Sequence, residues 1–266
     1  MPPSNIALLV PNGPQGKLER REPPPLDLLE SGEQPVVNGY RWINDTEHGM
    51  FMGVWGGTPA TLKPRPFPNN ELMLVVEGSV TIVEAGGRES TFRAGDCFIF
   101  PQGSVRQWKQ TEYFRKYAVG FRDASWHEPA DPAALRYVRL DPNGMLEEAA
   151  GPPAESLLGP APVQHERRWF ADPTGQLTVR VWDTTACHCK PRTAQAHEWT
   201  HILDGSVTLT DAAGAAHHFK KGDTFVVSLG TVYGWQCPGY FRAIHCALQP
   251  RAAAAKALVA ESTDAL

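Results

Sequence analysis

Residues 71–78 have the sequence Glu-Leu-Met-Leu-Val-Val-Glu-Gly, and residues 198–205 have the related sequence Glu-Trp-Thr-His-Ile-Leu-Asp-Gly. When the chain is shifted so that these stretches coincide, residues 41–121 align with residues 168–248 without a gap. The aligned identities fall mainly at Gly, Trp and charged positions, as in Trp55 with Trp182, Gly95 with Gly222, Trp108 with Trp235 and Arg115 with Arg242. A register kept over this length indicates an internal duplication.

Each repeat contains short apolar runs that are rich in Val, Ile, Leu and Phe and are separated by turn signals. In the first repeat these runs lie at residues 72–76, 80–83 and 97–100, and Gly78, Gly87 and Gly95 fall in the turns between them. Such runs are typical of β-strands, and neither repeat sustains a helical period. We therefore predict an all-β fold, with one barrel or sandwich of antiparallel strands in each repeat.

The remaining segments flank and connect the two repeats. We expect an extended N-terminal arm over residues 1–36, a first barrel over 37–122, a Pro/Ala-rich connector over 123–166, a second barrel over 167–249 and an Ala-rich tail over 250–266. The composition of the tail predicts a short surface helix. A Pro-Pro pair precedes each repeat by a similar distance, so each repeat is expected to begin with a strand that packs on its own barrel or on its neighbour's.

Composition and charge exclude several classes of protein. Charged residues make up 20% of the chain and its net charge is −4, so no basic field favours nucleic acid. The sequence has no apolar run of the ~18 residues that a membrane span needs, and its N-terminus does not resemble a signal peptide. Five cysteines, an odd number, argue against a disulfide framework. We expect a cytoplasmic protein.

The residues at the turns resemble the two conserved motifs of the cupin family. Glu71 and Gly78 correspond to the end of the first motif, and Gly95, Pro101 and Gly103 correspond to the start of the second. The second repeat has both motifs, with Ser228 in place of the proline. The chain therefore resembles a bicupin of the RmlC-like superfamily, which implies two tandem jelly-roll (double-stranded β-helix) barrels.

Within cupins, the chain resembles the DUF861-like group of ethanolamine-utilisation proteins and (S)-ureidoglycine aminohydrolases. The features shared with this group are a Val-Trp pair before the first-motif Glu and a Trp after the second-motif Gly, here Trp55 and Trp108 with Trp182 and Trp235. Two departures argue against the aminohydrolase activity itself. Glu198 stands where that activity implies a histidine ligand, and Gly234 stands where it implies a glutamine.

The resemblance also implies a divalent metal held by histidines and a glutamate, but most of these ligands are absent. Arg106 and Tyr233 replace the second-motif histidine, and the first-motif histidines are missing from both repeats. We therefore expect no metal in the first barrel. A Mn, Fe, Ni or Zn site in the C-terminal barrel is the alternative, with Glu198 and some of His188, Cys189, His201 and His245 as ligands. Strand alternation opposes it, because His197 and His201 should face away from Glu198.

Polar residues recur at both predicted pockets. The candidate catalytic residues are Glu198, Tyr233 and His197, and the candidate ligand-binding residues are Arg192, Lys190, Trp235, Glu71, Arg65, Arg106 and Trp108. A carboxylate, a guanidinium and an indole around one cavity are suited to a small anionic or zwitterionic ligand. The alternative is a Glu–Arg ion pair that fills the barrel and has only a structural role.

These observations predict a small-molecule cupin whose activity is in the C-terminal barrel. Hydrolysis, isomerisation and lyase chemistry on a small polar or anionic metabolite are the reaction types that remain open. The rival is a non-catalytic binder or scaffold that has lost its metal sites, and a metal-dependent dioxygenase is a third candidate. The expected partners are a small molecule and, in the scaffold alternative, a second copy of the chain as a homodimer, with no nucleic acid or membrane.

Overall fold

The computed structural model describes residues 5–251, and the strands of this part of the chain follow the repeat. The arm forms β1 (Ile6–Leu9), β2 (Glu19–Arg21) and β3 (Leu29–Ser31). The first repeat forms β4 (Val37–Asp45), β5 (Met50–Gly57), β6 (Ala60–Leu62), β7 (Arg65–Pro66), β8 (Asn70–Glu77), β9 (Ser79–Glu84), β10 (Glu89–Arg93), β11 (Cys97–Phe100), β12 (Val105–Gln110) and β13 (Phe114–Phe121).

The connector and the second repeat continue the same pattern. The connector forms β14 (Val138–Arg139) and β15 (Glu147–Ala149). The second repeat forms β16 (Gln164–Ala171), β17 (Leu177–Thr184), β18 (Cys187–Thr193), β19 (His197–Asp204), β20 (Ser206–Asp211), β21 (Ala216–Lys220), β22 (Thr224–Val227), β23 (Val232–Cys237) and β24 (Phe241–Leu248). Short 3-10 helices lie at Pro14–Gly16, Leu26–Leu28, Pro132–Ala134 and Ala154–Ser156.

Each repeat forms a barrel from two antiparallel sheets. The sheets of the first repeat have the strand orders β14-β11-β8-β13-β5-β4-β2 and β10-β9-β12-β6-β3, and β7 also pairs with β12. The sheets of the second repeat have the orders β1-β22-β19-β24-β17-β16-β15 and β18-β23-β20-β21. The predicted all-β class and the pair of tandem barrels are confirmed.

The glycine that ends residues 71–78 shows why the two stretches decide the fold. Gly78 joins β8 to β9 with a φ of 74°, and Gly205 joins β19 to β20 with a φ of 79°. A Cβ on Gly78 would lie 2.0 Å from the carbonyl oxygen of Tyr113, and one on Gly205 would lie 2.1 Å from that of Tyr240. Both the conformation and the close approach therefore require glycine.

The two barrels pack against each other through their larger sheets. One hydrophobic cluster combines side chains of both repeats, among them Met52, Leu72, Val119, Val179, Trp199 and Cys246. Two further clusters fill the barrel interiors, one around Phe92 and Phe98 and the other around Phe219 and Phe225. Because strand side chains alternate between faces, the residues on the opposite face of these sheets point into the lumens.

The segments before each repeat exchange strands between the barrels. Strand β1 of the arm pairs with β22 of the second barrel, and β14 of the connector pairs with β11 of the first. The arm also packs on its own barrel, since β2 pairs with β4 and β3 pairs with β6. The helix expected in the tail at residues 252–266 lies outside the described residues. Within residues 5–251, no helix is long and apolar enough to cross a membrane.

Candidate functional site

A cavity of about 750 Å³ opens into the N-terminal barrel. It is lined by six basic side chains and only two acidic ones, namely Arg21, Arg41, Lys63, Arg65, Arg106 and Lys116 against Glu22 and Glu71. The whole chain has a net charge of −4, so the wall of this cavity has the opposite sign to the protein as a whole. A concave site with this charge attracts anions.

The deepest charged pair of the cavity is formed by Lys116 of β13 and Glu71 of β8. Lys116 Nζ donates a hydrogen bond of 2.7 Å to Glu71 Oε1, and the two side chains are 8% and 6% exposed. The ammonium also lies 5.5 Å from the ring centroid of Trp55 and 5.3 Å from that of Trp108. Burial lowers the pKa of Lys116, which Glu71 opposes.

Arg106 lies in the same wall and is held by aromatic rings. Its guanidinium carbon is 3.3 Å from the ring centroid of Phe67 and 3.5 Å from that of Phe100. Its Nη1 donates to the backbone oxygen and the hydroxyl of Ser104. Its Nη2 is buried and has no hydrogen-bond partner within residues 5–251. A buried guanidinium with unused donor capacity is a ready partner for an anion.

The arm forms one side of the mouth of this cavity. Arg21 of β2 and the run Pro23-Pro24-Pro25 line it, opposite Arg65 of β7. Lys63 Nζ is anchored to the backbone oxygen of Asp27 at 2.7 Å. Arg41 lies over the ring of Phe51, with 4.5 Å between its guanidinium carbon and the ring centroid. Because prolines resist bending, the arm gives the mouth a defined edge.

The C-terminal barrel has a closed polar network at the equivalent position. Tyr233 donates a hydrogen bond of 2.6 Å to Glu198 Oε2, and Arg192 Nη2 donates to Glu198 Oε1 at 2.9 Å. Arg192 Nη2 also contacts the Tyr233 hydroxyl. Burial raises the pKa of Tyr233, so its hydroxyl stays protonated and serves as a donor. The Glu198 carboxylate is thereby hydrogen-bonded without a ligand, and the Arg192 side chain stays 52% exposed.

Three other residues selected from the sequence make contacts outside this network. His197 contacts Asp45 of the first barrel, with 3.5 Å between Nε2 and Oδ2, so the structure does not bring it to Glu198. Burial lowers the pKa of His197, and the hydrogen bond that His197 donates to Asp45 opposes this effect. Lys190 is exposed and donates to the backbone oxygen of Glu155. Trp235 packs in the barrel interior, where its ring centroid lies 5.8 Å from that of Trp182.

The sequence of the chain matches a known protein family in both barrels. The EutQ-like cupin domain family matches it twice, over residues 46–118 and over residues 171–242, which together are more than half of its length. The chain belongs to this family. The predicted membership of the cupin superfamily is thereby confirmed, and both matches fall within the two barrels.

Solved structures show the same cupin fold. A protein of unknown function of the DUF861 family from Pseudomonas syringae pv. tomato str. DC3000 is 23% identical with a TM-score of 0.71, covering 92% of this chain and 99% of that one. Ylba from E. coli, also of the DUF861 family, is 15% identical with a TM-score of 0.55, covering 94% and 93%.

A third cupin structure is more distant. Salicylate 1,2-dioxygenase from Pseudaminobacter salicylatoxidans is 15% identical with a TM-score of 0.50, covering 80% of this chain and 76% of that one. At such identities the similarity shows the fold alone. A search of curated proteins found no match to the sequence.

Many cupins hold a divalent metal, and the donor sets of this chain do not fit one. Around Glu71 the neighbouring groups are Lys116 and Arg106, which cannot ligate in their charged forms. Within residues 5–251, no three His, Cys, Asp or Glu side chains converge on a common point. The charge at the centre of the N-terminal cavity therefore comes from ammonium and guanidinium groups.

The ligands expected for a relocated metal in the C-terminal barrel are dispersed. His188 is exposed. The sulfur of Cys189 lies 3.3 Å from that of Cys187, and burial raises the pKa of the Cys187 thiol to about 12. His201 faces the interface and hydrogen-bonds Thr224. His245 shares the lumen face with Glu198, two positions along β24 from the partner of Glu198 in the register. Cys189 packs against the hydrophobic cluster of the same barrel, so two of the four alternative ligands face its interior.

Lys116 was not among the residues selected from the sequence. The signal that could have found it is the repeat itself, because the alignment places Lys116 opposite Ala243. A buried strand position that is charged in one repeat and apolar in the other is one of the positions where the two barrel interiors differ.

Proposed function

We propose that this cupin binds a small organic anion in the lumen of its N-terminal barrel. The single observation that carries the proposal is the cavity of about 750 Å³ whose wall has six basic and two acidic side chains. Its volume lies within the ~300–1,000 Å³ that small-molecule sites usually have. An excess of cations around a cavity does not stabilise the fold, because like charges repel one another when no anion lies between them.

The chemistry of the wall defines the ligand further. Arg65 and Arg41 present guanidinium groups, which bind carboxylates and phosphates through paired hydrogen bonds. Trp55 and Trp108 provide flat apolar surfaces in the same cavity wall. A ligand with one or two anionic groups on a short planar or apolar body fits such a wall.

This location differs from the one that the sequence favoured. The residues expected to react in the C-terminal barrel, Glu198 and Tyr233, are bonded to each other and to Arg192. We propose that this network stabilises the second barrel, as in the structural alternative, and that hydrolysis, isomerisation and lyase chemistry be sought in the first. The absence of a fitting donor set also disfavours the dioxygenase alternative.

Calorimetric titration of the full chain tests the proposal. The probes are succinate and glutarate as dicarboxylates, glycerol 3-phosphate as a phosphate ester, succinamide as a neutral isostere and 1,4-diaminobutane as a cation. We expect the anions to bind and the other two probes not to bind. Comparison of the carboxylates with the phosphate ester identifies the anionic group.

Paired variants assign the binding to one barrel. Arg65→Ala should weaken anion binding tenfold or more, which is about 1.4 kcal/mol. Arg192→Ala removes the residue at the equivalent position of the second barrel and should change the affinity by less than twofold. Equal binding of the neutral or cationic probe, or an equal effect of the two substitutions, would refute the proposal.

A further inference from the structure

We propose that Lys116 binds the carbonyl carbon of a small anionic 2-oxo acid as a Schiff base in the N-terminal cavity. This inference rests on the anion-binding function proposed above, and it adds the class of ligand and the atom that reacts. The observation that carries it is the position of the Lys116 amine. Binding of an anion by charge alone does not explain why an amine lies there.

The amine lies inside the barrel in mostly apolar surroundings. Lys116 lines the cavity although its side chain is only 8% exposed. Its Nζ contacts Glu71 Oε1 at 2.7 Å and the sulfur of Met73 at 3.1 Å, with the rings of Trp55 and Trp108 close by. Lysines that attack carbonyl groups in proteins are typically desolvated in this way or lie next to another cationic group.

Neutralising the barrel carboxylate does not require this lysine. In the second barrel, Glu198 is satisfied by Arg192 and Tyr233, and Ala243 occupies the position of Lys116. The same fold therefore holds its inward carboxylate without a buried amine. Lys116 differs from those partners in one respect that matters chemically, since an ammonium that loses a proton becomes a nucleophile whereas a guanidinium does not.

Burial and Arg106 favour the neutral form of Lys116, and Glu71 can accept its proton. Burial lowers the pKa of Lys116, Glu71 opposes this effect, and the positive charge of Arg106 adds to it. Glu71 Oε1 is within direct proton-transfer distance at 2.7 Å. A 2-oxo acid would bring its own carboxylate to the cationic wall, leaving its carbonyl carbon for the amine.

The step balances with the groups at hand. The Lys116 ammonium gives one proton to Glu71, and the free amine attacks the carbonyl carbon, so that a C–N bond forms. The nitrogen then passes one of its protons to the former carbonyl oxygen, which becomes a hydroxyl. Glu71 returns its proton to this hydroxyl, the C–O bond breaks, and water leaves. The product is a protonated imine on Lys116 and an ionised Glu71, and no oxidant, reductant or further reactant is needed.

Reductive trapping tests the inference on the full chain. The protein is incubated with pyruvate or 2-oxoglutarate and sodium borohydride, and the modified residue is mapped by peptide mass spectrometry. We expect one trapped adduct per chain, on Lys116. Lys116→Arg keeps a cation beside Glu71 but removes the nucleophile, so it should lose the adduct. Lys109→Arg changes a lysine of β12 that pairs with Glu89 outside the cavity, and it should leave the adduct unchanged.

Titration with lactate and 2-hydroxyglutarate, which lack the carbonyl, separates the two proposals. Binding of these hydroxy acids with no trapped Lys116 upholds the anion site and overturns the Schiff base. Failure of both the oxo and the hydroxy acids to bind overturns the anion site and the inference together. An adduct on Lys63 or spread over exposed lysines also overturns the inference.

Discussion

Lys116 Nζ lies 2.7 Å from Glu71 Oε1 inside the N-terminal barrel, with both side chains less than a tenth exposed. The equivalent carboxylate of the second barrel, Glu198, is instead bonded to Tyr233 and Arg192. The two copies thus keep the same inward glutamate and neutralise it differently. In the first copy the partner is a compact cation, and an open cavity remains. In the second copy the partners are larger side chains that close the network.

Replacing Lys116 by Met should lower the free energy of unfolding by about 3–5 kcal/mol, because it leaves the Glu71 carboxylate buried without its counter-charge. Adding Glu71→Gln in the same chain should restore much of this loss, since no charge then remains to be desolvated. Urea denaturation measures both. Lys109→Met is the matched control, because the exposed Lys109–Glu89 pair also has a 2.7 Å contact. Such a pair contributes at most about 1 kcal/mol. Equal losses at Lys116 and Lys109 would contradict the prediction.

The fold was predictable because its signals are local and occur twice. Each repeat has glycine turns, such as those at Gly78 and Gly205, that separate short apolar runs. These signals predict strands whichever barrel the strands join. The exchange of β1 onto β22 was not predictable, because it depends on which sheet edge lies within reach of the folded arm. From the sequence alone, packing of this strand on its own barrel and packing on the neighbouring barrel both remain open.

The site was predictable in part. Glu71, Arg65, Arg106 and Trp108 were selected, and all four line the cavity. The barrel that holds the cavity was not predictable, because an open lumen depends on the summed volumes of side chains from several strands. Tyr233 illustrates this point. It stands where the first repeat has Arg106, and its hydroxyl reaches the carboxylate that Arg106 does not hydrogen-bond.

Tyr233→Phe should destabilise the protein without changing anion binding. The substitution removes a buried 2.6 Å hydrogen bond to Glu198, and bonds to charged groups contribute about 1.5–3 kcal/mol. The cavity of the first barrel does not include Tyr233. Thermal denaturation should show the loss of stability, while titration with succinate should give an unchanged affinity. Loss of succinate binding in a folded Tyr233→Phe protein would place the ligand in the second barrel instead.

Strand β1 should contribute to the stability of the protein through Leu9 and not through Leu8. Leu9 is 3% exposed in the cluster between the barrels, and its carbonyl oxygen accepts a hydrogen bond from Tyr117, whereas Leu8 is 44% exposed. Leu9→Ala should cost about 2–5 kcal/mol in urea denaturation, as buried leucines do. Leu8→Ala should change stability by less than about 0.5 kcal/mol. A similar cost for both would mean that β1 does not lie against β22 in solution.

Stability should fall as the pH is lowered from about 6.5 to about 4, and His201 should account for part of the fall. Burial lowers the pKa of His201 to about 4, against a weaker opposing effect of Asp223, whereas the usual pKa of histidine is 6.5. Between these pH values the unfolded chain binds a proton that the folded chain rejects, so acid favours unfolding. Above pH 6.5 both states are neutral and the effect vanishes.

His201→Gln should therefore flatten this pH dependence, because one titrating group contributes up to about 1.4 kcal/mol per pH unit within the window. A residual slope should remain from His245, whose pKa burial lowers well below its usual value. His218 is exposed on β21, so His218→Gln should leave the slope as in the unchanged protein. The measurement is urea denaturation at several pH values between 4 and 8. If His201→Gln and His218→Gln give the same slope, the acid sensitivity originates elsewhere and His201 is not desolvated in the folded protein.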